Sequence, residues 1–302
     1  MKKLLTVVFL IFTASFTPIA AKFTVAEISP LSLAFLRFGT AAVLFNVLFH
    51  YKRLNYRIDK DDRLMFLILG ALVIPINQFF FLKGVYMSFA SHSGVTYACT
   101  PLFAYIIQIF MKHEHFSMKK MVPILMTITG IFFVFYDGIL KSTSTDSDAI
   151  LGDVFLFFAV LSWALYITLS KDIVIKYGAL KTSTLAFTIG IIMYTPIFLY
   201  DLPNLNFNNL SVNGILGFLH LTFIVAFAGY FVFTYSSKYI SVTELTTSTN
   251  LSPIITIIFS WLLLNEKLSY FFITGSVITI LGVFLSRIKI NKDNRNILTN
   301  EY

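Results

Sequence analysis

Charge is scarce in this chain. Only 13% of its 302 residues are Asp, Glu, Lys or Arg, against about 25% in a soluble domain. So little polar surface excludes an ordinary water-soluble domain. There is one cysteine, Cys99, so neither a disulfide framework nor a thiolate metal cluster can be built. No GxxxxGK[ST] loop occurs, which removes ATP as a direct energy source. No nucleophile–base pair or metal-hydrolase pattern appears, so nothing reads as an enzyme. Acidic residues are missing from the middle of every apolar run: Glu244 and Asp153 sit near run ends. That argues against cation/proton exchange on a central carboxylate.

What fills the chain is apolar. Hydrophobic residues make up 57% of it, with 34 Phe. The apolar runs are continuous and near 20 residues long, which is the pattern of membrane-crossing helices and not of barrel strands. Ten spans are expected, at about 4–21, 31–49, 64–82, 88–110, 120–136, 152–170, 182–200, 212–234, 242–264 and 269–287. The first, behind Lys2 and Lys3, also has the outline of a signal peptide. It is read as a span because the second half of the chain keeps its counterpart.

That counterpart belongs to an internal repeat. Residues 101–134 return without a gap 152 positions later as 253–286, with 8 identities. Pro101 falls on Pro253, Glu114 on Glu266, Ser117 on Ser269 and Gly130 on Gly282. At an offset of 149, residues 13–45 align with 162–194, which sets Lys22 on Lys171 and Phe38 on Phe187. The expected fold is therefore an all-α integral membrane protein of two five-helix repeats. The expected boundaries are 1–140, a linker at 141–150, 151–290 and a tail at 291–302. The polar stretch from Asp137 to Asp148 reads as a flexible tether.

Basic residues set the orientation. With the N-terminus inside, eighteen of the 23 Lys and Arg fall in inside segments, and only Lys22, Lys83, Lys141 and Lys267 fall outside. This bias predicts both termini in the cytoplasm. Five spans per copy is an odd number, so the second copy enters upside down, the inverted repeat of many secondary transporters. The net charge of +8 is thus a topology signal and implies no nucleic-acid partner.

Polar side chains inside the spans are the candidates for function. In the fourth span His92, Thr96 and Thr100 share one helical face, and in the ninth Glu244, Ser248 and Ser252 do the same at the offset of 152. Each face leads to a proline expected to bend its helix, Pro101 or Pro253. Two paired polar faces suit a water-filled path; singly, such Ser and Thr residues also serve as packing or bond their own backbone. Tyr97 and Asn250 add to this polarity. Asn77 and Gln78 are adjacent amides near mid-membrane, suited to neutral or zwitterionic solutes. Trp163 and Tyr166 offer an aromatic wall, with Tyr230 a further candidate. Arg37 is a candidate contact for a substrate carboxylate, with a pairing to Glu27 or a purely structural role as alternatives. His113-Glu114-His115 is too short a cluster for a metal site. No metal and no cofactor are expected.

Several of these features together resemble the drug/metabolite transporter superfamily, specifically its EamA-type members. They are Trp163 within its span, Pro30 with Arg37 opening the second span, Lys22 after the first, and a doubled Pro-x12-Glu motif. The motif is Pro101 with Glu114 and Pro253 with Glu266, each followed by a span carrying Gly130 or Gly282. In the first span Ala14-Ser15 stand where members often carry Trp-Gly. The resemblance covers nearly the whole chain. It implies a ten-helix bundle in the cell inner membrane, with helices 3, 4, 8 and 9 and parts of 1 and 6 around a central cavity. It also implies a secondary transporter of small organic metabolites, often exporting amino acids. The partners are then the lipid bilayer and a small-molecule substrate, with protons a candidate coupling ion carried by His92 or Glu244. The alternatives are a nucleotide-sugar or organophosphate carrier and a receptor or scaffold without transport. Neither the solute nor the oligomeric state follows from the sequence.

Overall fold

The computed structural model describes residues 2–112, 116–118, 121–142, 148–207, 210–240, 245–246 and 251–299. Among them every regular element is helical. Seven helical segments are long and apolar enough to cross a membrane, and three shorter apolar helices bring the total to ten. The first two spans are α1 (Lys2–Val25) and α2 (Pro30–Tyr51). The third is α3 (Arg63–Ala71) and α4 (Asn77–Met87), joined by a π-helical segment, Leu72–Ile76. The fourth is α5 (Ala90–Tyr97) and α6 (Thr100–Phe110). Then come α7 (Met121–Ser142), α8 (Ala149–Tyr177) and α9 (Ala179–Asp201). The eighth span is α10 (Val212–Leu219) and α11 (Tyr230–Ser237) around a second π-helical segment, His220–Gly229. The ninth ends in α12 (Ser252–Leu264), and α13 (Tyr270–Thr299) is the tenth.

The bundle is covered by apolar side chains facing outwards. Val43, Val47, Phe132 and Ile192 are among the many left exposed on its flanks. A surface of this kind belongs in lipid, where helices satisfy their own backbone groups. Inside, rings and aliphatic chains such as Phe38, Phe45, Phe187 and Leu221 form the main core, and Val95, Val134 and Phe272 form a smaller one.

The repeat governs the packing. Equivalent spans meet each other: α2 packs on α9, α5 on α12 and α7 on α13. Other contacts come in exchanged pairs, with α8 on the first π-helical segment matched by α1 on the second, and α6 on α8 matched by α1 on α12. The α7–α13 seam shows the symmetry at atomic detail. A Cβ on Gly282 would lie 2.7 Å from Thr127 Oγ1 and 2.9 Å from the Pro123 carbonyl. A Cβ on Gly130 would strike Thr279 Oγ1 and lie 2.6 Å from the Gly275 carbonyl. Every partner in one contact is the repeat mate, 152 positions on, of its equivalent in the other. Small residues here let two helix backbones approach, the usual device of membrane helix pairs. The two π-helical segments also fall at equivalent places. In the third span the cause is Pro75, which lacks an amide hydrogen and widens the ladder.

The polar tether is shorter than the sequence suggests. Helix α7 runs on through Ser142 and α8 begins at Ala149. Asp137 does not end the helix because its carboxylate is buried and accepts hydrogen bonds, as described below.

Candidate functional site

Between α1, α4, α5, α8, α11 and the start of α12 lies a cavity of about 170 Å³. Arg37 reaches it from α2. Asn77 and Gln78 begin α4 directly after the first π-helical segment, and Tyr230 begins α11 directly after the second. The widened turns thus end where the cavity needs side chains turned inward, a frequent setting for such segments. Gln78 and Tyr230 are repeat mates, and Gln78 Nε2 lies 3.4 Å from the Tyr230 hydroxyl across the pseudo-two-fold axis.

Asn77 is held firmly. Its Nδ2 donates to the Ala159 carbonyl at 2.7 Å and to Ser162 Oγ at 3.2 Å, and lies 3.5 Å from the Tyr97 hydroxyl. Gln78 donates to Asn77 Oδ1, while its own Oε1 has no partner among the described residues. Trp163 packs edge-on against Tyr230 with ring centres 5.1 Å apart, and stacks on Tyr166 at 5.6 Å. Arg37 is only 1% exposed, yet its Nε and Nη1 find no partner among the described residues. Glu27 does not supply one, because its two oxygens take the Ser211 amide and hydroxyl. The described lining contains no other charged side chain.

The structure brings Arg37, Asn77, Gln78, Tyr97, Thr100, Trp163, Tyr230, Ser252 and Pro253 to this one cavity. His92, Thr96, Pro101 and Tyr166 are not in its lining. Tyr166 is buried behind Trp163. Thr96 donates to the His92 carbonyl at 2.8 Å, within its own helix. His92 is buried at the far end of α5 against Asp153 and Asp137. Pro101 acts on the backbone: the fourth span breaks at Ala98–Cys99, and Thr100 Oγ1 donates to the Tyr97 carbonyl that Pro101 cannot serve, at 2.7 Å. Glu244, Ser248, Asn250, His113, Glu114 and His115 lie outside the described residues.

Other lining residues carried little signal. Thr13 and Thr17 on α1 bond their own helix, to Phe9 and Thr13 carbonyls, and look in sequence like ordinary membrane-helix threonines. Thr246 and Thr256 belong to the ninth span and add polarity to the same wall. Spacing from Ser252 could have indicated Thr256, one turn on.

The profile of the EamA-like transporter family matches residues 1–136 and again 150–288. An uncharacterized transporter of Archaeoglobus fulgidus is 27% identical over 291 residues, covering 95% of this chain and 96% of that relative. The uncharacterized transporter YyaM of Bacillus subtilis is 26% identical over 266 residues, 87% of this chain and 86% of its own length. One crystal structure superposes on 95% of this chain and 97% of its own with a TM-score of 0.64 and 13% identity; it bears on the fold alone.

Proposed function

The chain belongs to the EamA-like transporter family, a family of multi-pass membrane transporters, and from that premise we propose that it exports amino acids or related amphipathic metabolites. The two repeats rock about the central cavity and open it to each side in turn, the usual use of an inverted repeat. Both termini lie in the cytoplasm, and the protein sits in the cell inner membrane, as the basic loops favour.

The observation that carries the solute class is Arg37. A buried guanidinium without a counter-charge is costly, and this one faces a cavity whose described lining holds no carboxylate. A solute carboxylate supplies the missing charge and the missing acceptors, in a fork geometry that suits guanidinium. The Gln78 Oε1 and the faces of Trp163 and Tyr230 then take an ammonium group and an apolar side chain. One cation matches one carboxylate; an organophosphate dianion would be left under-compensated.

Uptake into proteoliposomes of labelled amino acids, nucleobases and organophosphates, with and without a pH gradient, tests this. Saturable uptake of an amino acid is expected, with Arg37→Ala reducing it by about 100-fold, the scale of a lost charge-assisted pair. Transport of organophosphates alone, or amino-acid transport indifferent to Arg37→Ala, would overturn the assignment.

A further inference from the structure

Away from the cavity, five elements converge on one imidazole. His92 in the first turn of α5 is fully buried, as are Asp137 of α7 and Asp153 of α8. His92 Nδ1 lies 3.0 Å from both oxygens of Asp153, and Nε2 lies 3.1 Å from Asp137 Oδ2. The ring stacks on Phe272 of α13 at 5.1 Å. The Ser88 hydroxyl, just past α4, donates to Asp153, and Ser269, just before α13, donates to Asp137. Among the described residues, Lys22 and Glu266 also border the cluster. Lys22 Nζ lies 2.5 Å from the Ser88 carbonyl, and Glu266 accepts from the Ala90 and Ser91 amides at 2.7 and 3.0 Å.

Hydrogen counting fixes how many protons this arrangement shares. An ionised carboxylate only accepts, and a neutral imidazole has a single N–H. Here each ring nitrogen faces a carboxylate. The Ser269 hydroxyl already accepts from the Phe272 amide at 3.1 Å, so its own proton goes to Asp137 and both contacts of the ring remain to be filled. They need two hydrogens, one more than a neutral imidazole between two ionised carboxylates holds, so the triad binds one extra proton, shared between the ring and a carboxyl. The nitrogens point to opposite sides, which leaves no common point for a cation other than the proton.

We infer that Asp137, His92 and Asp153 form a proton-binding latch that closes this end of the transporter. The helices it ties also line the cavity: α4 through Asn77 and Gln78, α5 through Tyr97, α8 through Trp163. Parting them to open the cavity on this side breaks the bridge and admits water. The triad then returns its extra proton to that water, and takes one up again when the end closes. Without the proton, two buried carboxylates share one N–H, an arrangement that disfavours closure. Acid therefore holds this end shut and alkali releases it. On the orientation proposed above it is the outer end, but the latch depends on neither orientation nor solute.

Spin labels at Leu151→Cys on α8 and Tyr270→Cys on α13, both exposed, report the gap across the latch. The protein is placed in lipid nanodiscs with Cys99→Ser, and distances are measured at about pH 5.5 and about pH 8.5, either side of the range where imidazole titrates. A single short distance is expected in acid, with a second, longer population in alkali. His92→Asn should show the longer population at both values and no pH response. Asp153→Asn should lower the midpoint by about one pH unit, since one of the two charges favouring imidazolium is gone. Identical distributions at the two pH values without these substitutions, or a response that survives His92→Asn, would sink the latch. If His92→Asn does not reach the membrane, an unmoved midpoint in Asp153→Asn does so instead.

Discussion

The pseudo-two-fold axis is crossed by two regions that treat the repeat differently. Along α7 and α13 the copies keep the same residues in the same roles, Gly130 against Thr279 and Gly282 against Thr127. Around the cavity they keep position and change chemistry. Gln78 faces Tyr230, Asn77 has Gly229 as its mate, and Gly94 has Thr246. A seam that only sets the distance between two backbones works equally well twice. The two halves of the cavity have diverged, as the proposed solute with two unlike ends would require.

The largest expected effect lies on the symmetric seam. Gly282→Leu drives a branched side chain into Thr127 and the Pro123 carbonyl, and backbone cannot step aside as a side chain can. Overpacking of this kind costs about 1–3 kcal/mol or more. We expect loss of folded monomer on size exclusion in detergent, and the same for Gly130→Leu. Gly39→Ala, whose new methyl meets nothing nearer than 3.9 Å, should leave the yield unchanged. Full yield from Gly282→Leu would mean the seam is looser than its geometry implies.

Next come the residues that differ between the copies. Trp163→Ala and Asn77→Ala are expected to abolish saturable transport while the protein still inserts and elutes as a folded species. Asn77→Ala removes its bonds to the Ala159 carbonyl, Ser162 and Gln78, about 1 kcal/mol each and too little together to unfold the bundle, and the Ala159 carbonyl keeps the Ser162 hydroxyl as a donor. Normal transport by both variants would remove these residues from the solute path. Loss of folded protein instead would move them to the scaffold side of the comparison.

The scaffold was more legible in the sequence than the cavity, for physical reasons. Ten apolar runs and an ungapped offset of 152 are long-range patterns that survive local noise, and they lead directly to equivalent helices packing on each other. Asn77 and Gln78 stood out because two amides in an apolar run have few explanations. Thr13 and Thr17 did not, because a threonine bonded to its own helix looks the same whether it faces a cavity or a neighbour. Asp137 was hidden by the polar residues that follow it, and only the fold reveals that His92 and Ser269 bury it within α7. The second π-helical segment carries no proline at all, so its composition gives no hint of the widened turn.

The smallest effect belongs to the opposite end of the bundle. There Lys176 Nζ lies 2.6 Å from Asp59 and 2.5 Å from Asp62, at an open surface where the lysine is 49% exposed. Hydrogen bonds from Lys176, and then from Tyr177, hold both carboxyls below the usual range. A carboxyl depressed in this way contributes above the unfolded value of about 4 and loses its contribution only as pH falls through the folded one. Nothing at this site changes between about pH 5.5 and about pH 8.5, and exposed pairs are weak in any case. Lys176→Met should therefore shift thermal stability at the edge of measurement and leave the pH-dependent distance between positions 151 and 270 as it was. The two ends are then told apart by one experiment: His92→Asn removes the response and Lys176→Met does not. Were Lys176→Met to abolish it, the titrating group would sit at the exposed end, and the buried imidazole would be packing alone.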